Sequence, residues 1–282
     1  MFKKSLGLIF ILVFLTLPIY AGTGMDYLQS KELIEGNTIQ YKTLSLMIKT
    51  LSNTGQDLST LKAKLTSAAV RQGSINQAFA LLAVSDPGIA AELFSKQLSN
   101  GSWDNDIYTT ALVTYSLLVT NLQTTAAQSG IAYIRSHQNP DGGWGEGTST
   151  SLNTVLALLA LRKAGFSDET VQKGLNWLLM HQGGEGGWGN NINTAWACLA
   201  LQEFGTNPAE LGKAIDYLKA IVNKDGGWGI YPGEASDPFT SALVLWVLQE
   251  YDPTLPEVAK GNPEGLPAAA EGMKDRSYDL VK

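Results

Sequence analysis

The sequence predicts an all-α protein in which helical hairpins repeat around a closed ring with two layers. A Gln-x-x-x-Gly-x-Trp signature occurs three times, and a fourth time with its first residue changed. The four tryptophans are 41, 44 and 40 residues apart, and helix-like apolar periodicity flanks every copy. The copies are Gln97-Gly101-Trp103, Gln138-Gly142-Trp144, Gln182-Gly186-Trp188 and Val222-Gly226-Trp228.

Each repeat contains two kinds of helix. The helix after a signature is apolar on most sides, whereas the helix before it has one polar face, as in IDYLKA over residues 215–220. Apolar helices of this kind fit an inner layer, and amphipathic helices fit an outer layer. Five aligned copies of the inner segment begin at Gln77, Thr110, Thr154, Thr194 and Ser241.

The periodicity and the helix-start signals together predict twelve helices. Asp86-Pro87 and Asn207-Pro208 each supply a capping side chain followed by a proline in the first turn. A linear stack needs a polar cap at both ends, whereas six hairpins can close on themselves, so twelve helices favour a ring. The predicted helices cover residues 25–35, 38–52, 57–71, 74–84, 87–98, 107–121, 124–138, 149–164, 167–182, 192–204, 208–223 and 238–250.

The glycine-rich turns indicate what the tryptophans do. Glycine permits backbone angles that a side chain would forbid, so an indole can lie directly against the chain at the turn. We therefore expect the tryptophans to be buried anchors, with a glutamine beside all but the last. The residues with this structural role are Gln97, Trp103, Gln138, Trp144, Gln182, Trp188 and Trp228.

The segment from Lys173-Gly174 through Trp177 to Trp188 resembles the complete QW motif of the squalene-hopene cyclase and protein prenyltransferase superfamily. The copy ending at Trp144 lacks only the basic start, and the copy ending at Trp228 lacks only the glutamine. The resemblance covers roughly residues 74 to 250. It implies an α/α toroid with six inner helices inside six outer helices, and with Gln and Trp stacked at the turns.

The catalytic acid of the cyclase branch has no counterpart here. Hopene cyclases, by this resemblance, protonate an alkene with the middle aspartate of an Asp-x-Asp-Asp-Thr-Ala motif at the head of an inner helix. That reaction demands a strong acid held in a dry cavity. The corresponding positions are Tyr108, Leu152, Ile192 and Phe239. A terpene cyclisation is therefore disfavoured.

No metal and no cofactor are expected. Protein prenyltransferases hold zinc through Asp, Cys and His, with the aspartate two residues before the cysteine; here Trp196 takes that position before Cys198. Cys198 also falls in an apolar column of the inner helices, which indicates a core position. His137 and His181 each precede a motif glutamine, so we expect both to be structural.

Several aromatic residues lie on the predicted inner helices. We expect them to pack in the core, since packing is a commoner role for such residues than a platform for a sugar or an isoprenoid. They are Tyr115, Trp196, Phe239 and Trp246.

Polar residues concentrate at the beginnings of the inner helices. These beginnings meet at one end of a ring, so their side chains converge on the mouth of its cavity. One interpretation is helix capping and turn formation; a second is a ligand-binding rim helped by the helix dipoles; a third is a carboxylate pair of the glycosidase type, although sequence spacing does not set the distance. The candidate ligand-binding residues are Asp104, Asp106, Tyr108, Asn153, Asn193 and Asp237.

The first residues have the pattern of a secretory leader. Lys3 and Lys4 precede an apolar run from Leu6 to Leu17, and Ala21 offers a small residue at the cut. This run is short of the roughly 20 residues that span a bilayer. We expect an exported chain, periplasmic or extracellular, that is cut near Ala21; the alternative is a leader kept as an anchor.

The chain divides into a signal peptide (1–21), a toroid (22–251, clearest over 74–250) and a Pro/Gly-rich tail (252–282). The whole chain has a net charge of −6, and it loses two lysines with the leader. An acidic balance argues against binding to nucleic acid or to an anionic membrane surface.

Three functions are compatible with these residues. The favoured one is a non-catalytic module that binds a protein, a glycan or a small apolar ligand at the mouth. The second is an enzyme that uses mouth carboxylates as a glycan hydrolase or lyase does, or a degenerate terpene cyclase or prenyltransferase. The third is a purely structural ring, which a filled centre would favour.

Overall fold

The computed structural model describes residues 24, 27, 28, 34, 35, 38–52 and 57–251. The predicted leader and the predicted tail lie outside these residues. The described part contains eleven helices and one pair of two-residue strands, β1 (Ile34–Glu35) and β2 (Thr38–Ile39), which pair antiparallel. The inner helices are α1 (Tyr41–Leu51), α3 (Ser74–Val84), α5 (Ile107–Thr120), α7 (Ser151–Lys163), α9 (Asn191–Phe204) and α11 (Pro238–Tyr251). The outer helices are α2 (Ser59–Ala69), α4 (Pro87–Ser95), α6 (Thr124–Ser136), α8 (Glu169–Met180) and α10 (Pro208–Ala220).

The inner helices form a closed ring. Each one packs against the next along the chain, and α11 packs against α1. At this last contact the Thr50 hydroxyl of α1 donates a hydrogen bond to the Ala242 carbonyl of α11, at 3.2 Å. Each described outer helix packs on an inner helix. The structure is therefore an α/α toroid, as predicted, and not an open spiral.

Two predicted helices near the N-terminus have the wrong bounds. The helix expected over 25–35 would include Ile34–Glu35, and the helix expected from residue 38 would include Thr38–Ile39, but both pairs are strands. Isoleucine and threonine favour strands because their branched side chains fit a pleated surface. The residues between them are Gly36-Asn37, a pair that favours a two-residue hairpin turn.

The four turn tryptophans make the same contacts in every repeat. Each indole Nε1–H donates to the carbonyl ten residues earlier, on the preceding outer helix, at 2.6–2.7 Å. Each tryptophan backbone N–H donates to a threonine or serine hydroxyl on the following inner helix, at 2.8–3.0 Å. All four side chains are at most 2% exposed. Each tryptophan therefore holds its turn to both helices of the hairpin.

Three glutamines join each turn to the next outer helix. The Gln138 side-chain amide donates to the Gly142 carbonyl in its own turn and to the Thr170 carbonyl in the first turn of α8, both at 2.8 Å. Gln97 and Gln182 make the equivalent pairs of hydrogen bonds. Val222 takes this position in the fourth copy and has no group that can donate, so the last turn lacks this connection.

Glycines allow the layers to approach closely at these turns. Gly142 has a φ of +93°, and a Cβ built on it would meet the Lys173 carbonyl oxygen at 2.9 Å. Gly174 of α8 lies against the indole, because a Cβ there would meet Trp144 at 2.6 Å. A side chain at either position would push the outer helix away from the turn.

Replacing Trp188 by alanine tests the anchoring role. We expect Trp188→Ala to lower the free energy of unfolding by about 3–5 kcal/mol, since it removes a buried indole and leaves a cavity. The measurement is a urea titration. Met180→Ala is the control, because Met180 is 74% exposed and its loss should change little. An unchanged midpoint for Trp188→Ala would contradict the role.

The glutamine connection can be tested separately. We expect Gln182→Leu to cost about 1–3 kcal/mol, because it removes the side-chain donor that binds both the Gly186 and the Glu210 carbonyls. Val222→Leu is the matched control, since it changes the same position of the fourth copy without removing a donor. Equal effects of the two substitutions in a urea titration would show that packing, and not hydrogen bonding, matters here.

Candidate functional site

Aromatic side chains occupy the centre of the ring. Phe79 of α3 lies 6.3 Å from Trp196 of α9 and 5.6 Å from Phe239 of α11, measured between ring centroids. Trp196 in turn lies 5.9 Å from Trp246 of α11, edge to face. We call these four residues the central aromatic cluster. Trp196 and Trp246 are 2% and 4% exposed, which agrees with the packing role expected from the sequence, and Phe79, for which no role was predicted, is 1% exposed.

The contact between Phe79 and Trp196 crosses the whole ring. Their helices α3 and α9 stand opposite each other, with two inner helices between them on either side. Neighbouring helix axes are about 8–10 Å apart, so opposite axes in a six-membered ring are about 16–20 Å apart. Two aromatic side chains that meet in the middle fill that width. Where Phe79 and Trp196 meet, the centre of the ring is therefore packed.

Four side chains at the starts of the inner helices occupy the positions where the resemblance places a catalytic acid. Tyr108, Leu152 and Phe239 are half-buried, and Ile192 is 6% exposed. Tyr108 carries the single ionisable group among them. Burial, and then the negative charge of Asp106, raises the pKa of the Tyr108 phenol above its usual range, so the phenol keeps its proton.

Two of the three predicted carboxylates of the rim, Asp106 and Asp237, are helix caps. Asp106 precedes α5, and its Oδ2 accepts hydrogen bonds from the backbone N–H and the hydroxyl of Thr109, both at 2.6 Å. Asp237 precedes α11 and accepts the same pair from Thr240, both at 2.7 Å. In each case the carboxylate satisfies a backbone donor that the helix leaves unpaired.

The other predicted rim residues differ in whether their side chains already make hydrogen bonds within the protein. Asp104 is exposed in the preceding turn, with a φ of +60°. The Asn193 side chain donates to the Trp188 carbonyl at 3.2 Å and thus belongs to the turn. Asn153 is half-buried, and its side-chain amide makes no hydrogen bond with any described residue. The Tyr108 hydroxyl also makes none with them.

The structure therefore narrows the predicted rim to a smaller surface, which we call the mouth. It adds Lys42, whose Nζ lies 5.7 Å from the centroid of the Phe239 ring. The sequence did not indicate Lys42, because the α1 copy is too divergent to align with the other inner helices. The mouth comprises Lys42, Tyr108, Leu152, Asn153 and Phe239.

The cysteine and the histidines have structural contacts. Cys198 is fully buried, and burial raises the pKa of its thiol well above the usual range. His137 stacks on Tyr133 and His181 stacks on Trp177, each with centroids 3.8 Å apart. Among the described residues, no group of three or more His, Cys, Asp or Glu side chains is placed to hold a metal ion. None of the described helices has the length and apolarity to cross a membrane.

Part of the chain matches a known family. Residues 89–196 match the squalene-hopene cyclase C-terminal domain. Over 83 residues the chain is 39% identical to (+)-kolavenyl diphosphate synthase from Herpetosiphon aurantiacus, and this alignment covers 26% of the chain and 16% of the synthase. The shared stretch is thus a small part of that enzyme.

Solved structures share the fold over most of the chain. Type II terpene cyclase MstE from Scytonema has a TM-score of 0.63 at 15% identity, covering 84% of this chain and 99% of that one. A protein from Actinoplanes has a TM-score of 0.63 at 14% identity, covering 82% and 98%. A possible GH105 family member from Salmonella enterica has a TM-score of 0.56 at 11% identity, covering 82% and 93%. At these identities the likeness establishes the α/α-toroid fold.

Two substitutions of Asp106 separate capping from a chemical role. We expect Asp106→Asn to leave stability nearly unchanged, because asparagine caps helices as well as aspartate does. Asp106→Ala should cost about 0.5–2 kcal/mol, since it leaves a backbone donor of α5 unpaired. Thermal unfolding measures both. If Asp106→Asn destabilised the protein as much as Asp106→Ala, the carboxylate charge would matter beyond capping.

Proposed function

We propose that the chain is an exported, non-catalytic member of the terpenoid cyclase-like superfamily of α/α toroids and that it binds a ligand at its mouth; its similarity to the squalene-hopene cyclase C-terminal domain and to MstE supports this placement. The observation that carries the proposal is the contact between Phe79 and Trp196 across the centre of the ring. A cyclase encloses a flexible chain that must fold inside a cavity, and a packed centre leaves no such room at this level. MstE, which shares the fold, is a type II terpene cyclase, so the proposal implies that this chain lacks the chemistry of that protein.

The chemistry of the mouth supports the same conclusion. Protonation of an alkene needs an acid far stronger than a phenol, and the Tyr108 phenol holds its proton more tightly than usual. Leu152, Ile192 and Phe239 have no proton to give. No residue at these four positions can therefore start a cyclisation.

The hydrolase or lyase alternative receives little support from the carboxylates. A glycosidase needs one carboxyl group as an acid and a second as a base or nucleophile, both facing the scissile bond. Asp106 and Asp237 each use an oxygen to cap a helix through two short hydrogen bonds. These bonds hold the carboxylates at the ends of α5 and α11.

The groups at the mouth suit a ligand that lies across it. Tyr108 and Phe239 offer aromatic surface, and the Asn153 amide and the Tyr108 hydroxyl offer hydrogen bonds that no described residue takes. Phe79 meets both Trp196 and Phe239 in the middle of the ring, so aromatic side chains occupy the space next to these groups. A protein segment or a glycan fits such a surface better than a small apolar molecule, which gains most from full enclosure.

The first test asks for catalysis. The purified chain is incubated with geranylgeranyl dihydroxybenzoate, which is the substrate in a complex of MstE, and the extract is examined by mass spectrometry. We expect no cyclised product, because the centre is packed and the acid is missing. Product formation that disappears with Asp106→Asn would refute the non-catalytic proposal and favour a cyclase-like enzyme.

The second test asks for binding. Glycan and peptide arrays are probed with the wild-type chain and with a variant carrying Tyr108→Ala and Asn153→Ala. We expect the variant to lose binding by about tenfold or more, because 1.4 kcal/mol of lost contacts is a factor of ten. Phe94→Ala is the control, since Phe94 is 50% exposed on the outer helix α4. Ligands that bind the mouth variant as well as the wild type would place the site elsewhere.

A further inference from the structure

Three residues near the N-terminus occupy the place of the sixth outer helix. Gly24, Tyr27 and Leu28 are helical, and we call them the clasp. Their spacing repeats in the outer helices: a glycine or alanine, then an aromatic residue three positions later, then a large aliphatic one. The equivalent sets are Gly130-Tyr133-Ile134, Gly174-Trp177-Leu178 and Ala214-Tyr217-Leu218.

The contacts of the clasp match those of the other outer helices. A Cβ built on Gly24 would meet the Leu245 side chain at 2.8 Å, just as one on Gly174 would meet Leu158 at 3.0 Å. Leu245 and Leu158 hold the same register position on α11 and α7. The Tyr27 hydroxyl donates to the Ser236 carbonyl at 2.7 Å. Tyr27 is 5% exposed and Leu28 is fully buried.

The contacts of the clasp limit how far along the chain the leader can be cut, because the cut must come before Gly24. A cut after Gly24 would take away the residue that seats against α11, and a cut after Leu28 would remove the whole clasp. The outer layer of helices would then have a gap between the last repeat and the first. The apolar surface around Leu245 would be exposed to water. The mature chain must therefore retain Gly24.

The absence of a glutamine from the fourth repeat limits the position of the cut on the other side, because it indicates a cut after Tyr20. In three repeats the glutamine binds a carbonyl four residues before the glycine or alanine of the next outer helix. Counted from Gly24, that position is Tyr20. The fourth repeat alone has no glutamine and carries Val222 instead, as expected if the partner carbonyl is absent from the mature protein. The carbonyls bound in the other repeats belong to Ala126, Thr170 and Glu210.

We infer that the leader is removed by a cut between Tyr20 and Gly24, at the bond between Ala21 and Gly22. In this hydrolysis water adds across the peptide bond, Ala21 keeps the carboxyl group, and Gly22 gains a free amino group. Two constraints from the toroid thus converge on the bond that the leader pattern indicates. The inference rests on the exported role proposed above.

The direct test is the N-terminus of the exported protein. The full chain is expressed with its leader in a bacterial host, and the protein recovered outside the cytoplasm is analysed by intact mass and N-terminal sequencing. We expect a chain that starts at Gly22. A start beyond Gly24, or an exported chain that keeps residues 1–20, would overturn the inference. A chain retained in the cytoplasm would refute the exported role itself.

A second experiment tests the clasp whatever the outcome of export. Gly24→Leu places a side chain against Leu245. Hydrogen exchange of the α11 backbone amides then reports whether the clasp separates from α11. We expect exchange at least about tenfold faster than in the wild type, because the open state then gains population. Gly212→Leu is the matched control, since a Cβ on Gly212 of α10 meets nothing within 4 Å. Equal exchange in both variants would show that the clasp does not close the outer layer and would remove the requirement for a cut before Gly24.

A third experiment tests the hydrogen bond between the Tyr27 hydroxyl and the Ser236 carbonyl. Tyr27→Phe removes the donor to the Ser236 carbonyl, whereas Tyr133→Phe, at the equivalent place on α6, removes a hydroxyl that bonds to no described residue. We expect a fall in melting temperature of about 2–4 °C for Tyr27→Phe, the shift that roughly 1 kcal/mol produces in a chain of this size. Tyr133→Phe should change it less. The opposite order would contradict the role given to Tyr27.

Discussion

The pair of hydrogen bonds at each turn tryptophan is the constraint on which the toroid depends. The indole binds the end of the outer helix, and the backbone N–H of the same residue binds the start of the inner helix, so one side chain fixes both members of a hairpin. Buried donors are costly unless they are paired, which makes this arrangement strongly preferred over a splayed turn. Four turns repeat this geometry, and the packing of α11 against α1 closes the ring of six inner helices.

Closure also limits what the centre can contain. In a ring of six helices the side chains from opposite walls reach each other, so the size of the inward-facing residues decides between a cavity and a core. Phe79 and Trp196 are large enough to meet, and Phe239 and Trp246 extend the contact towards either end. The size of these inward-facing side chains, and not the geometry of the turns, therefore decides whether the centre is open where they meet.

The sequence predicted the helices and turns of the ring well, but it did not predict the contacts between side chains in the middle of the ring. Helical periodicity and the regular tryptophans act locally, so the bounds of helices such as α3 and α5 followed from nearby residues. The contact between Phe79 and Trp196 joins residues that are far apart in the chain, and no local pattern encodes it. Likewise the sequence showed that Asp106 and Asp237 begin helices, but it did not show that their oxygens bind Thr109 and Thr240. The strands Ile34–Glu35 and Thr38–Ile39 were missed because each was assigned to the end of a neighbouring predicted helix, 25–35 or 38–52.

The four turns are alike in their tryptophans but differ in their connection to the next repeat. Three have the glutamine that binds the following outer helix, whereas the fourth has Val222 and relies on the clasp, which is not covalently continuous with α11. Local opening follows the weakest set of contacts in a structure. The junction between α11 and the clasp is therefore where this ring should open first. A ligand bound across the mouth, where Phe239 of α11 and Lys42 of α1 lie together, would bridge the last and the first inner helix and so oppose opening of the ring beside this junction.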